Sequence, residues 1–413
     1  MTTVTEPASS GKDFASLRIA GKDALSLALI DTRNRTLRWV AALEPHAASL
    51  AEGVDPLPWT LGHVAWFQER WIARHVQRAR GEQADAAAPR LPSLRADADE
   101  CFDPSLAAPA RRRGLCEQAA FDGDAARGYA FETLEATLEL LDGTPVHARD
   151  DGGDDGLYFF RLALFQEAMQ EERLAEAAQA GDIDTGLVAA PTPLPPRPEL
   201  VFPATRWLLG ASSGGFAFDN QKPAHVVDIP EFAIDSQPVS WAQYAEFVED
   251  GGYDDDAHWS TAGRAWLAQE GRRSPRYIEQ IRHSVLQRRF GKSMRVPLSS
   301  AAVHVSAHEA DAWCRWAGRR LPGEVEWEAA AHQGTMRGFR WGQVREWTAT
   351  TLRPWPGFVA GPWRELSVPA FGRARTLRGA SIATPPSLAG LRIRGWAAPE
   401  RDEGFVGFRS CAA

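Results

Sequence analysis

The sequence predicts an α+β protein with a four-helix bundle in its N-terminal half and little regular secondary structure in its C-terminal half. The chain has 413 residues, more than the roughly 150 of an ordinary domain. Five prolines within residues 191–198 form a stiff, extended segment. Long helical patterns of apolar residues occur before it, and short apolar segments broken by Gly, Pro, Asp and Asn occur after it. These observations predict a helical domain over 14–182, a linker over 183–200 and a second domain over 201–413.

Four stretches of the first half carry apolar residues at helical spacing. One of them covers 59–75, where Pro56 and Pro58 introduce the helix and Thr60 caps its start. Another, rich in alanine and glutamate, runs from about 158 to 180. The other two stripes are Leu25, Leu29, Leu37 and Val40, and then Phe131, Leu134, Leu138 and Leu141. Four amphipathic helices of this length pack most economically as a bundle.

After the linker, short apolar segments alternate with Gly, Pro, Asp and Asn, and only two helices stand out, over 241–250 and 307–317. The whole chain has sixteen tryptophans against five tyrosines. Tryptophan buries a large surface and has only one donor to satisfy, so this ratio favours an irregular fold with little sheet.

Charge and hydropathy exclude several classes of protein. With 46 Lys and Arg against 54 Asp and Glu, the net charge is −8, which disfavours a nucleic-acid or anionic-membrane binder. No apolar run approaches the roughly 18–20 residues that cross a bilayer, and residues 1–12 lack the apolar core of a signal peptide. We therefore expect a cytoplasmic protein without disulfides that acts on small molecules; its oligomeric state is open.

The second half carries a series of recognisable blocks. They include GGFAFDN at 214–220, WAQYAEFVEDGGY at 241–253, CRWAGRRLP at 314–322, VREWT at 344–348 and GFRSC at 407–411. In type and order these blocks resemble the formylglycine-generating-enzyme-like domain, which has a C-type-lectin-like fold. In the first half, LGHVAWFQE at 61–69 resembles the helix signature of a DinB-like bundle.

The combination of the two domains resembles the ergothioneine sulfoxide synthases and the related selenoneine synthases. The resemblance implies an oxygenase that uses non-haem Fe(II) and O2 to join sulfur or selenium to the imidazole of hercynine, which is trimethylated histidine. Hercynine, O2 and a seleno- or thio-sugar, or alternatively a cysteine-type thiol, are the implied partners. The resemblance assigns no catalytic residue in this sequence, since several family positions differ.

The metal site is where this sequence departs most from the family. The family's first histidine ligand corresponds to His63, and the other two come from an HxxxHxE motif on a later helix. The matching stretch here reads QEAMQEE, so the implied ligands are His63, Gln166 and Gln170, and only the trailing Glu172 is retained. An amide oxygen is a weaker ligand for Fe(II) than an imidazole.

Substrate positions also differ. A YPGF-type turn that carries two tyrosines in the family reads LRPWPGF here, which leaves Trp355 as a platform for a trimethylammonium group and no phenol to donate a proton. A WDxPxR-type segment retains Arg401 but has Ala397 in place of the acid, which favours a donor without an amine unless Asp402 or Glu403 stands in. The resemblance implies two more substrate-binding residues. They are Glu172, which follows the two glutamines, and Arg113, which lies in an arginine-bearing loop.

Three alternatives remain open at this point. The chain is an enzyme of this lineage, or a metal-free relative that binds a betaine or a protein partner, or a natural sequence altered by substitution at the two glutamines. His304 and His308 share the spacing of a ligand pair, but His304 is predicted to lie in a strand that leads into the helix at His308, and a structural role is favoured for both.

Overall fold

The computed structural model describes residues 13–50, 53–145, 155–211 and 214–413. Its helices are α1 (Phe14–Leu17), α2 (Lys22–Leu43), α3 (Leu57–Trp71), α4 (Ala98–Phe102), α5 (Arg112–Gln118), α6 (Gly123–Asp142), α7 (Tyr158–Ala180), α8 (Trp241–Glu249), α9 (Thr261–Glu270), α10 (Ala307–Trp316) and α11 (Glu324–Gly334). Within these residues, no helix is long and apolar enough to cross a lipid bilayer.

The first half is built from four long helices, α2, α3, α6 and α7, which pack against one another. The helix α7 begins and ends where the sequence predicts, whereas α3 starts at Leu57, so Thr60 lies inside the helix and does not cap it. The predicted buried stripe of α6 is only partly right. Leu141 is buried, but Phe131 is 62% exposed, and Tyr129 and Thr133 are buried on the inner face.

The second half contains more regular structure than the sequence predicts. Among its described residues the strands form four small sheets. Three are wholly antiparallel, and the fourth contains one parallel pair, Arg345–Thr351 with Val406–Phe408. The strands are β1 (Leu200–Phe202), β2 (Thr205–Leu209), β3 (His225–Ile229), β4 (Phe232–Ile234), β5 (Ile278–Ile281), β6 (Val285–Arg289), β7 (Lys292–Val296), β8 (Arg319–Arg320), β9 (Arg345–Thr351), β10 (Arg375–Arg378), β11 (Gly395–Ala397), β12 (Val406–Phe408) and β13 (Cys411–Ala412). Most have two to five residues, too few to show an alternating pattern.

The two halves share their apolar cores. One core cluster joins Trp39 of α2 and Leu174 of α7 to Trp241 of α8. A second cluster joins Phe165 of α7 to Phe216 and Phe218, whose rings lie 5.2 and 6.0 Å from it. Because α7 contributes to both clusters, it is held on two sides, and side chains on its remaining face are placed firmly. No helix or strand occurs over 183–199, and the domain limits themselves stay a prediction.

Candidate functional site

Two adjoining cavities lie between the helices and the second half of the chain. The larger, of about 350 Å³, is enclosed by α3, α7 and the segments around 103–112 and 362–366. The smaller, of about 200 Å³, lies between α7 and the strands β9 to β12. Four residues line both cavities, and we call this shared part the neck: Met169, Arg173, Leu366 and Trp396.

His63 lies in the wall of the larger cavity, stacked on Trp59 at a ring distance of 5.0 Å. Its Nδ1 lies 2.9 Å from the carbonyl oxygen of Phe102, and because a carbonyl only accepts, Nδ1 carries the proton. The lone pair of a neutral imidazole is then at Nε2. It accepts a hydrogen bond from the side-chain amide of Gln166 at 3.2 Å. The nitrogen that would bind a metal is thus occupied by an amide proton.

Burial lowers the pKa of His63 to about 4, although the hydrogen bond to the backbone of Phe102 raises the pKa in part. The imidazolium form is therefore excluded from the folded chain at neutral pH. This neutral state agrees with the tautomer that the contacts of the ring require.

We expect the unfolding free energy to fall by about 3 kcal/mol through His63 as the pH drops from 6.5 to 4. The unfolded imidazole takes up a proton near pH 6.5, while the buried ring resists protonation down to about pH 4. The measurement is urea unfolding across this range with a chelator present, for the wild type and His63→Gln. Identical pH profiles for the two chains would contradict the buried neutral imidazole.

The two glutamines lie on one face of α7, since residues four apart share a face of a helix. Gln166 is almost fully buried behind His63, and Gln170 lines the larger cavity. The neighbouring acids turn the other way. Glu167 pairs with Arg33 at 2.8 Å and Glu171 with Arg35 at 3.0 Å, both on α2. These carboxylates are therefore unavailable as ligands in the cavity.

The donors around His63 do not fit a tightly held Fe(II). They comprise one imidazole whose lone pair is already hydrogen-bonded and two neutral amides, which are weak ligands beside imidazole. Within the described ranges, no group of three or more His, Cys, Asp or Glu side chains could hold a metal ion. His304 and His308 do not form a second site. His304 has a left-handed φ of 62° outside any strand, contrary to the prediction, and His308 faces Glu400.

Glu172 and Arg401, predicted to bind substrate, both line the smaller cavity, but each already has a partner. Glu172 accepts two hydrogen bonds from Arg345, at 2.9 and 2.6 Å, and one from Thr384. Arg401 forms an ion pair with Glu176 of α7. Both residues thus tie α7 to the second half of the chain.

Trp355 and Arg113, the other two residues predicted to bind substrate, line neither of these two cavities. The ring of Trp355 lies under the guanidinium of Arg394, 4.4 Å from its centroid, so Arg394 faces the smaller cavity in its place. Arg113 follows Arg112 on α5, and consecutive helical residues point about 100° apart. It is Arg112 that lines the larger cavity, beside Asp55 at 2.6 Å and over Trp59.

Two features of the smaller cavity bear on the donor substrate. Ala397 lines it where the family carries an acid. Asp402 does not stand in for that acid, because it is fully buried and pairs with Arg272 and with Arg276, the latter at 2.6 Å. The two glutamates that line this cavity, Glu172 and Glu176, are both paired with arginines.

None of the site residues that the sequence predicts lies in the neck. Arg173 and Trp396 carry a charge and a large ring into the space shared by the two cavities, and Trp363 lines the larger one beside them. The available signal for Arg173 was its position seven residues after Gln166 on the same helical face.

Comparison with known proteins agrees with this architecture. Residues 192–343 match the family described as the sulfatase-modifying factor enzyme 1-like domain. The hercynine oxygenase of Mycolicibacterium smegmatis is 31% identical over 94% of this chain and 97% of its own length. That of Mycolicibacterium thermoresistibile is 30% identical over 93% and 94%. The inactive C-alpha-formylglycine-generating enzyme 2 of Mus musculus is 33% identical, but over only 35% of this chain.

The helices, the cavities and these matches define the class of protein. The second half is a formylglycine-generating-enzyme-like domain, joined to a helical half across a ligand-sized space. The similarity to the mycobacterial relatives extends over nearly the whole of both chains. The chain belongs to the hercynine oxygenase family.

Proposed function

We propose that this chain binds hercynine, or a zwitterion with the same trimethylammonium and imidazole groups, in the larger cavity beside His63. The names of the relatives supply the ligand class. The cavity supplies a volume that accommodates a small amino-acid betaine and a wall rich in tryptophan. The helical half would then be the DinB-like bundle that the sequence suggests, with α3 and α7 carrying the ligand's imidazole end.

The observation that carries the proposal concerns the five tryptophans that line the larger cavity: arginine side chains lie over three of the rings and not over the other two. Trp59, Trp66 and Trp71 each have an arginine over the ring, at 3.8, 5.0 and 4.9 Å. Trp363 and Trp396 have no such arginine among the described residues. A quaternary ammonium group binds over an indole face that no other cation occupies, so we assign it to these two rings; that of Trp363 also meets the ring of Phe67 at 4.9 Å.

We expect Trp396→Ala to weaken hercynine binding about 3- to 30-fold, the range that corresponds to a lost cation–π contact. Trp316→Ala is the matched control, because Trp316 is a partly exposed tryptophan on α10 that lines neither cavity. Both affinities are measured by calorimetric titration with hercynine. Equal affinity in the two variants would contradict a role for Trp396 in binding the ammonium group.

The second candidate is a more specific function that the family resemblance suggests. It is an Fe(II)- and O2-dependent enzyme that joins a seleno- or thio-sugar to hercynine. The observation in its favour is His63, a neutral imidazole whose Nε2 contacts Gln166, one of the two positions where the resemblance implies a histidine in the family. The observation against it is the donor set, which does not fit iron. Turnover with hercynine and a chalcogen donor in the presence of Fe(II) would establish this candidate.

If the enzyme turns over, we propose a donor without an amine, such as a thio- or seleno-sugar. An ammonium group needs an anionic partner, and the carboxylates of Glu172 and Glu176 in the smaller cavity are already paired. A cysteine-type thiol remains the alternative. Product formed at equal rates from cysteine and from a thio-sugar would contradict this choice.

A further inference from the structure

Six arginines line the two cavities, and five of them have a carboxylate partner. The partners belong to the protein itself, and in four of the pairs the nitrogen–oxygen distance lies between 2.6 and 3.5 Å. The five paired arginines are Arg70, Arg112, Arg345, Arg394 and Arg401. Arg173, in the neck, forms no ion pair among the described residues.

The guanidinium of Arg173 has almost all of its hydrogen-bonding capacity unused. It has five N–H donors, and its one hydrogen bond within the described residues runs to Oε1 of Gln170 at a long 3.5 Å. The side chain is exposed to solvent and lines both cavities. Desolvation by the surrounding protein lowers its pKa, and the charge of Arg401 lowers it further. Because the guanidinium is open to solvent and has no carboxylate partner among the described residues, it is available to an anion that enters the neck.

The position of Arg173 on α7 aims it at the proposed ligand. Gln166, Met169, Gln170 and Arg173 follow the spacing i, i+3, i+4, i+7, so they share one face of the helix. His63 stands at one end of this row, against Gln166. Arg173 stands at the other end, where it lines the neck together with Trp396.

We propose that Arg173 binds the carboxylate of the betaine and is the residue that selects an amino-acid betaine over a plain quaternary amine. This inference rests on the proposed function. In hercynine the trimethylammonium group and the carboxylate are attached to the same carbon, so their binding sites must adjoin. Trp396 and Arg173 meet this requirement, because both line the neck. A planar guanidinium also matches a carboxylate with two parallel hydrogen bonds.

The test compares hercynine with its decarboxylated analogue, trimethylhistamine, by calorimetric titration. We expect the wild type to prefer hercynine about 10- to 100-fold, the range of a charge-assisted hydrogen-bonded contact. In Arg173→Met the preference should fall to within about threefold, while the analogue binds at least as well as before. In Arg173→Lys a partial preference should return, because the charge is retained without the planar fork.

The matched control is Arg127→Met, which removes an arginine of α6 that is paired with Glu44 and Asp124 and lines neither cavity. This variant should keep the preference for the carboxylate. A preference that survives in Arg173→Met, or that is absent from the wild type while both ligands bind, would overturn the inference.

A separate measurement covers the case in which neither ligand binds to the wild type, which would count against the proposed function. It follows the ¹⁵N signal of the Arg173 guanidinium, assigned by its loss in Arg173→Met, during titration with sodium acetate at constant ionic strength. A saturable shift would support an anion site at Arg173. An unchanged signal would overturn it.

Discussion

Changing Gln166 and Gln170 to histidine together should raise the affinity for Fe(II) more than about 100-fold, or about 2.8 kcal/mol at 1.4 kcal/mol per factor of ten. The double change replaces two weak amide donors with imidazoles and removes the amide proton that occupies Nε2 of His63. The wild type should hold little iron under the same anaerobic conditions. The measurements are Fe(II) titration and elemental analysis of the purified chains.

Two control chains make this result specific to the site. The triple variant with His63→Ala in addition should lose most of the gain, because the third imidazole is then absent. The single variants should each gain less than the pair, since they restore only one ligand. If the double variant bound no more iron than the wild type, the correspondence between these glutamines and the family's histidines would be wrong.

Changing Glu346 to glutamine should cost about 3–5 kcal/mol of unfolding free energy, the usual effect of leaving one member of a buried ion pair without its partner. The carboxylate of Glu346 is fully buried between Arg409, which donates to Oε1 at 2.8 Å, and the indole of Trp327, which donates to Oε2 at 2.8 Å. A neutral amide cannot balance the guanidinium, and it turns an N–H group toward one of these donors. Urea unfolding measures the difference.

The matched control for this change is Asp228→Asn in the same domain. Asp228 pairs with Arg206 at 3.3 Å, but their side chains are 84% and 77% exposed, so the unfolding free energy should change little. The double variant Glu346→Gln with Arg409→Met should recover part of the loss, because it removes the unpaired charge. An equal loss at both sites would mean that burial does not decide the strength of these pairs.

The parts of the fold that the sequence predicts well are long and locally determined. The limits of α7 follow from a run of strong helix formers, and those of α8 and α10 from bulky residues at helical spacing. The helices α9 and α11 were missed. The capping hydrogen bonds at their starts become recognisable only in the structure. At the start of α11, for example, the carboxylate of Glu326 accepts a hydrogen bond from the backbone N–H of Gly323 at 2.6 Å.

The candidate site could be predicted only in part. Sequence spacing places Gln166 and Gln170 on one face of a helix and indicates that Glu167 and Glu171 point elsewhere, as their pairing with α2 shows. It does not tell which of two consecutive arginines faces a cavity, nor which arginine lacks a partner. That last property of Arg173 depends on where distant carboxylates lie after folding, so no local pattern encodes it.

The central claim is that the cavity beside His63 recognises a trimethylammonium betaine, and its most direct test is calorimetric titration of the wild-type chain with hercynine and with histidine. The two ligands differ only in the methyl groups, so the comparison isolates the contacts with Trp363 and Trp396. We predict at least about tenfold tighter binding of hercynine. Equal affinity for the two ligands, or no heat with either, would contradict the account.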